Sequence, residues 1–291
     1  MSNKLLVSGA AGQLGGAVVA HLLDTFGVDA SRIVAGSRDP GKLADIAARG
    51  VATARVDFDD PASMAEAFAG IDTLLVISTD ALGQPGKRLA QHKAAVAAAA
   101  KAGIRHIVYT SLINPEKSVI HFAPDHVGTE QALRDSGAGW TVLRNAWYME
   151  NLMAAIPSAL ESGTWYTASG TGSAGYVTRD DCARAAAAVL ASGPTENAVH
   201  SITGPESLSV DDLVATLNKV NGTSIEVVQL DDAGFIGGLQ AAGLPDILVN
   251  IISEFDRDVR AGTMAGASDA VKTLTGTAPV SFADFAATIK G

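Results

Sequence analysis

Three glycines spaced three apart, Gly9, Gly12 and Gly15, end an apolar run at 4–7 and open a helical pattern through Val18, Val19, Leu22 and Leu23. Such glycines let a backbone turn sharply and approach a ligand closely. The helix that follows aims its free N–H groups and its dipole at an anion, so the expected chemistry is pyrophosphate binding by a strand, a turn and a helix. The spacing is G-x-x-G-x-x-G rather than G-x-G-x-x-G, and any strand-to-helix turn can collect glycines. A second chemical signal sits at the end of the next apolar run, where the chain reads Gly36-Ser37-Arg38 with Lys42 one helical turn on. An acidic residue there would bind the ribose hydroxyls of NAD. Arg38 instead can fork onto a 2′-phosphate, supported by Ser37 and Lys42, and the expected cofactor is NADP. The plain alternative is a pair of solvated surface cations beside Asp39.

The elements that position these residues read as alternating strands and helices. After the opening unit come a strand at 32–36, a helix at 40–49, a strand at 51–56, a helix at 61–68, a strand at 73–78 and a long Ala-rich helix at 87–102 ended by Gly103. A strand at 104–111, a helix at 124–136 and a strand at 140–143 complete the first half. Strands without polar alternation, joined by helices, imply a parallel sheet covered on both faces. The second half carries helical patterns at 146–161, 180–190, 209–220, 232–241, 246–259 and 282–289, a Gly/Ser/Thr-rich loop at 163–175, and short strand-like pieces at 176–178, 200–203 and 225–229. The expected fold is α/β, a doubly wound parallel sheet of the Rossmann type with a small C-terminal α+β lobe. Residues 1–155 are the expected dinucleotide-binding domain, whose chain returns to the sheet near 176–203. Residues 156–175 and 204–291 are the expected smaller, substrate-side lobe.

Composition narrows the partners. The chain has 291 residues, 47% hydrophobic and 18% charged, as a compact folded protein does. A formal net charge of −10 with no basic face argues against a nucleic-acid partner. The single cysteine, Cys182, has no internal disulfide partner, and no Cys/His cluster has zinc spacing. The alanine run at 94–100 is interrupted by Lys93 and Lys101, and the apolar stretch before Gly9 is too short for a signal peptide. A reduced, cytoplasmic protein with no membrane partner is expected.

Taken together, the stretches GAAGQLG (9–15), AGSRDPGK (35–42), VDFDDPASMAEAF (56–68), QH (91–92), AAAAKAGIRHIVYTSL (97–112), HVGTEQAL (126–133) and TVLRNAWYMENL (141–152) resemble the NmrA-like branch of the atypical short-chain dehydrogenase/reductases. Within it, the resemblance is greatest to NADPH:quinone reductases and triphenylmethane-dye reductases. The likeness continues more loosely to GTMA at 262–265. It implies that Gly9, Gly12, Gln13, Leu14 and Gly15 hold a pyrophosphate and that Ser37, Arg38 and Lys42 hold the adenosine phosphate. It further implies that Asp57 and Phe58 flank the adenine, that Ser78 and Thr79 run beside the riboses, and that Thr110 and Ser111 lie nearer the nicotinamide.

Where most short-chain reductases carry Tyr-x-x-x-Lys, this chain has His126-Val127-Gly128-Thr129-Glu130. His126 and Glu130 share a helical face. A histidine near its ordinary pKa could donate a proton, oriented or charged by Glu130, or His126 could simply close a pocket wall. Beyond the sixth strand, Trp147 and Tyr148 could stack on a flat ring while Asn145 or Asn151 bonds a carbonyl; the alternative for the aromatic pair is core packing. Trp165, Tyr166 and Phe235 are further lid candidates. Hydride addition to a quinone yields a weakly basic phenolate, whereas a ketone yields an alkoxide in need of a positioned acid, so loss of the Tyr/Lys pair favours an electron-poor acceptor. The expected activity is NADPH-dependent hydride transfer to a quinone or similar conjugated acceptor. The alternatives are a cofactor-binding redox sensor without turnover, or a ketone, imine or dye reductase. A homodimer is compatible with the resemblance.

Overall fold

The computed structural model describes residues 3–289. In chain order its elements are β1 (Leu5–Val7), α1 (Gln13–Asp24), β2 (Ile33–Ser37), α2 (Ala44–Ala48), β3 (Ala52–Arg55), α3 (Pro61–Ala67), β4 (Thr73–Val76), α4 (Lys87–Lys101), β5 (His106–Leu112), α5 (Ala123–Asp135) and β6 (Gly139–Asn145). They continue with α6 (Ile156–Ser162), β7 (Thr164–Thr167), β8 (Ser173–Ala174), α7 (Arg179–Ser192), β9 (Ala198–Ile202), β10 (Leu208–Ser209), α8 (Val210–Asn221), β11 (Glu226–Gln229), α9 (Asp232–Ala241), α10 (Asp246–Arg260), α11 (Ala270–Thr275) and α12 (Phe282–Ala287).

Seven strands form the main sheet in the order β3-β2-β1-β4-β5-β6-β9. β1 pairs in parallel with β2 and with β4, and the β2–β3 and β4–β5 pairs are parallel as well. The strand order therefore reverses beside β1, and open α/β sheets bind ligands at that switch point, beyond the carboxyl ends of the strands. Every residue of β1, β4 and β5 is buried, as a sheet covered on both faces requires. On one side Leu6, Leu74, Val76, Ile107 and Tyr109 pack with Met64 of α3, Phe68 at its C-terminal end, and Ala95, Val96 and Ala99 of α4. The Asp60 carboxylate accepts the Ala62 and Ser63 N–H groups and starts α3 at Pro61, where a missing N–H is harmless. The alanines of α4 lose no side-chain entropy on folding and let it lie close to the sheet.

The chain divides into two compact units. The first comprises Met1–Leu112, Pro124–Arg144 and Asp180–His200; the second comprises Ile113–Ala123, Asn145–Arg179 and Ser201–Gly291. The boundaries differ from the expected ones at 113–123 and 145–155, and by a few residues at either end of 176–203. The reason for the first difference is visible within the second unit, where Asp258 of α10 accepts the Val119 N–H and the Ser118 hydroxyl, and Asn114 donates to the Thr263 carbonyl.

Within the second unit, β7 and β11 pair in parallel and β8 pairs antiparallel with β10. The stretch expected as a loop at 163–175 thus holds two short strands, because Thr164, Trp165, Tyr166 and Thr167 are all strand-favouring types. The helix expected over 146–161 is instead a 3-10 turn at Met149–Ala154 followed by α6. Pro157 is the physical reason: without an N–H it fits only the first turn of a helix. Likewise the helix expected over 40–49 is a 3-10 turn, Pro40–Leu43, leading into the single turn of α2. Residues 176–178 contribute an isolated bridge from Val177 to Tyr148 rather than a strand.

Candidate functional site

The carboxyl ends of β1, β2 and β4 open into a groove of about 370 Å³ in the first unit, walled by Gly9, Ala11, Gly12, Ser37, Arg38, Lys42, Asp57, Phe58, Ser78 and Thr79 together with Gln91. Its floor is the glycine turn. Gly9 has φ +65°, and a Cβ on Gly15 would lie 2.3 Å from the Gly9 carbonyl oxygen, so α1 starts closer to β1 than any side chain permits. No side chain caps α1 at Gly12, and the first-turn N–H groups of Gln13, Leu14 and Gly15 are left for an anion. Gln13, Leu14 and Gly15 contribute this backbone and do not line the groove wall.

At the tip of β2 the Arg38 side chain is 68% exposed and stands 3.5 Å from the still more exposed Asp80, a surface pair too weak to hold the guanidinium in place. Asp39 does not oppose it with a free carboxylate, because Oδ1 accepts the Gly41 N–H and starts the 3-10 turn that carries Lys42. A cradle that excludes a Cβ, an uncapped helix start and two cations without an acidic residue at the ribose position together fit a dinucleotide bearing an extra phosphate.

The residues behind the groove are bound to one another. The Thr110 hydroxyl accepts the Ser78 N–H at 3.0 Å, so β5 fixes the exit of β4. Thr79 donates its N–H to His92 Nε2 and its hydroxyl to Gln91, while Arg88 donates to the Thr79 carbonyl. Gln91 in turn donates to Asp59, holding that carboxyl below the usual range. Arg88, Gln91 and His92 were not singled out as site residues from sequence. The available signal was three polar residues at helical spacing on one face of an otherwise alanine-rich helix.

His126 and Glu130 lie on α5 as expected but do not meet. His126 is buried between the Tyr109 hydroxyl, 2.9 Å from Nδ1, and Arg88, 3.1 Å from Nε2. Arginine can only donate, so Nε2 is the acceptor and Nδ1 carries the proton. Burial first and the neighbouring Arg88 charge second hold the His126 pKa well below 6.5. Glu130 instead accepts from Ser111, Arg134 and Arg144. The expectation that Glu130 charges His126 therefore fails on geometry, and Ser111 is committed to Glu130. Neither His126 nor Glu130 lines the groove.

The second unit holds a separate cavity of about 500 Å³, with Trp147, Asn151, Trp165, Tyr166, Tyr176, Phe235 and Phe255 in its walls. Trp147 stacks on Phe255 with centroids 4.1 Å apart and planes 19° from parallel, and Tyr176 meets Phe255 edge-on. Trp147 thus both packs and lines a cavity. Tyr148 does not line it: its hydroxyl accepts from Asn145 Nδ2 at 3.1 Å, and the Arg179 guanidinium lies over its ring. Asn145 is buried, and among the described residues its Oδ1 has no hydrogen-bond partner. Cys182 is buried in α7. Among the described residues no cluster of His, Cys, Asp or Glu could hold a metal, and no helix is long and apolar enough to cross a membrane.

The profile of the NmrA-like family matches residues 1–245. The chain belongs to this family. It is 38% identical over 271 residues to quinone oxidoreductase 2 of Escherichia coli, covering 93% of this chain and 92% of that one. The solved NADPH complex of the E. coli NADPH-dependent quinone oxidoreductase superposes with a TM-score of 0.91, at 35% identity over 98% of this chain and 99% of that one. Triphenylmethane reductase of Citrobacter sp., solved with NADP(H), gives 0.90 at 32% identity, covering 98% and 99%. The Rossmann-type fold and the family resemblance expected from sequence are both borne out.

Proposed function

We propose that this NmrA-like protein is an NADPH-dependent reductase that delivers a hydride to a quinone or a similarly conjugated, flat acceptor. The observation that carries the reading is the groove at the β1–β4 switch point, with Arg38, Ser37 and Lys42 where an NAD-binding protein would place a carboxylate. The likeness to an NADPH-dependent quinone oxidoreductase over nearly the whole chain supports it. The bound nicotinamide supplies the redox chemistry, donating a hydride when reduced.

The chain's own residues bind and orient. Gly9, Gly12 and the N–H groups of Gln13, Leu14 and Gly15 take the pyrophosphate; Arg38 forks onto the 2′-phosphate with Ser37 and Lys42; Asp57 and Phe58 flank the adenine. Ser78 and Thr79, fixed by Thr110, Gln91 and His92, border the riboses. The aromatic cavity around Trp147 takes the acceptor and excludes water from it. No side chain placed in the sequence as a proton donor is free to act as one, since His126 is neutral and enclosed. That suits a quinone, whose reduced oxyanion has a phenol-like pKa of about 10 and is protonated by water. We place the protein in the cytoplasm, as a single buried cysteine suggests.

Steady-state NADPH oxidation tests the reading with 1,4-naphthoquinone set against cyclohexanone. Rapid turnover of the quinone with negligible turnover of the ketone is expected. Faster ketone turnover would refute the choice of acceptor, and a tight NADPH complex inert to every acceptor would mark a sensor.

A further inference from the structure

The cavity of the second unit has aromatic and aliphatic walls and, among the described residues, one charged side chain, Asp256 of α10. Asp256 is 7% exposed. Its two hydrogen bonds both go to Oδ2, from the Ala168 N–H at 2.7 Å and from the Thr167 hydroxyl at 2.8 Å. No hydrogen bond from a described residue reaches Oδ1. A carboxylate serving only to pin the end of β7 would leave nothing to a ligand. Here the other oxygen, Oδ1, belongs to a cavity-lining residue among mostly apolar walls and keeps access to solvent, so a ligand donor can take the place of water on it. Burial raises the Asp256 pKa, and the two donors and Arg260 oppose that rise.

We infer that Asp256 sets the specificity of this cavity: it selects flat aromatic ligands that carry a hydrogen-bond donor, an O–H or N–H group at the ring edge, seated between the walls of Trp147 and Phe235 with the donor on Oδ1. The inference deepens the reductase reading and rests on it only in taking the cavity as the acceptor's seat. Among quinones and similarly conjugated acceptors, it favours those that also carry a hydroxy or amino group.

Binding measures this without turnover. Dissociation constants of 2-naphthol and 2-methoxynaphthalene, which differ by the donor alone, are read by ligand-observed proton NMR on the intact protein. A hydrogen bond to a charged acceptor makes 2-naphthol roughly tenfold or more the tighter ligand. In Asp256→Asn the Thr167 hydroxyl and Ala168 N–H still demand an acceptor, so the amide oxygen takes the Oδ2 place and the NH2 group the Oδ1 place. The cavity then offers a donor, and the preference falls to one or inverts. Gly238 of α9 lines the cavity with open space where a side chain would start, and Gly238→Leu weakens both probes by filling the seat. Equal affinities in the unmodified protein would overturn the inference even if Asp256→Asn failed to fold, and so would a preference unchanged in a folded Asp256→Asn. Discrimination between the naphthalenes without quinone turnover would leave Asp256 standing and remove the reductase; turnover without discrimination would do the reverse.

Discussion

The Tyr109 hydroxyl lies 2.9 Å from Nδ1 of His126, and the opposite nitrogen of the same ring faces Arg88. A ring enclosed between a phenol and a guanidinium has no room for a second proton. Turnover of a quinone should therefore be flat between pH about 5.5 and 8, because a histidine acid of ordinary pKa would impose a break near 6.5. The pH profile of kcat checks this, and a fall in kcat above pH about 6.5 would restore His126 as the acid.

The same burial makes the protein acid-sensitive. His92 is pushed down to about 3 by burial and by Arg88, His106 to about 4 by burial and by Arg105, and His126 well below its ordinary value. The unfolded chain takes up protons near pH 6.5 while the folded one does not, so this stability is complete above about 6.5 and is lost as the pH falls toward the folded values. Each histidine contributes at most about 1.4 kcal/mol per pH unit inside that window. Asp256 and Asp258, raised by burial, act in the opposite sense. Urea unfolding at pH 7 and at pH 5 should show a loss of a few kcal/mol at the lower pH.

Removing the fork at the tip of β2 should change cofactor choice rather than rate. For Arg38→Ala the KM for NADPH rises roughly tenfold to hundredfold, the value of one hydrogen-bonded ion contact, while the KM for NADH stays nearly constant. Parallel titrations of the two coenzymes measure it.

Gly15 and Gly16 are adjacent on α1 but differ sharply in tolerance. An added Cβ meets the Gly9 carbonyl oxygen at 2.3 Å from Gly15, and the Ala10 carbonyl oxygen at 3.4 Å from Gly16. Gly15→Ala should cost about 1–3 kcal/mol of stability, as overpacking against rigid backbone does, and should weaken NADPH binding with it. Gly16→Ala should be close to neutral. Thermal unfolding of both variants with and without NADPH separates them.

What the sequence could disclose was set by local covalent geometry. A glycine turn, a cation four residues from another and an apolar run of strand length are all written within a few neighbours, and the groove was legible for that reason. Arg88, Gln91 and His92 were not, because their roles depend on Thr79 and His126 in other elements. Asp256 was invisible for the same cause: it meets Thr167 and Ala168 across 88 or more residues of chain. His126 and Glu130 were misread as a pair because helical spacing placed them on one face, while β5 and β6 separately supplied Tyr109, Ser111 and Arg144 as their partners.

Anaerobic single-turnover mixing bears most directly on the central claim. Protein loaded with one equivalent of NADPH is mixed with 1,4-naphthoquinone, and the nicotinamide absorbance is followed. The account predicts stoichiometric loss of NADPH with formation of the naphthohydroquinone, far faster than the reaction without protein. An NADPH complex that persists unchanged in the presence of the quinone would contradict it.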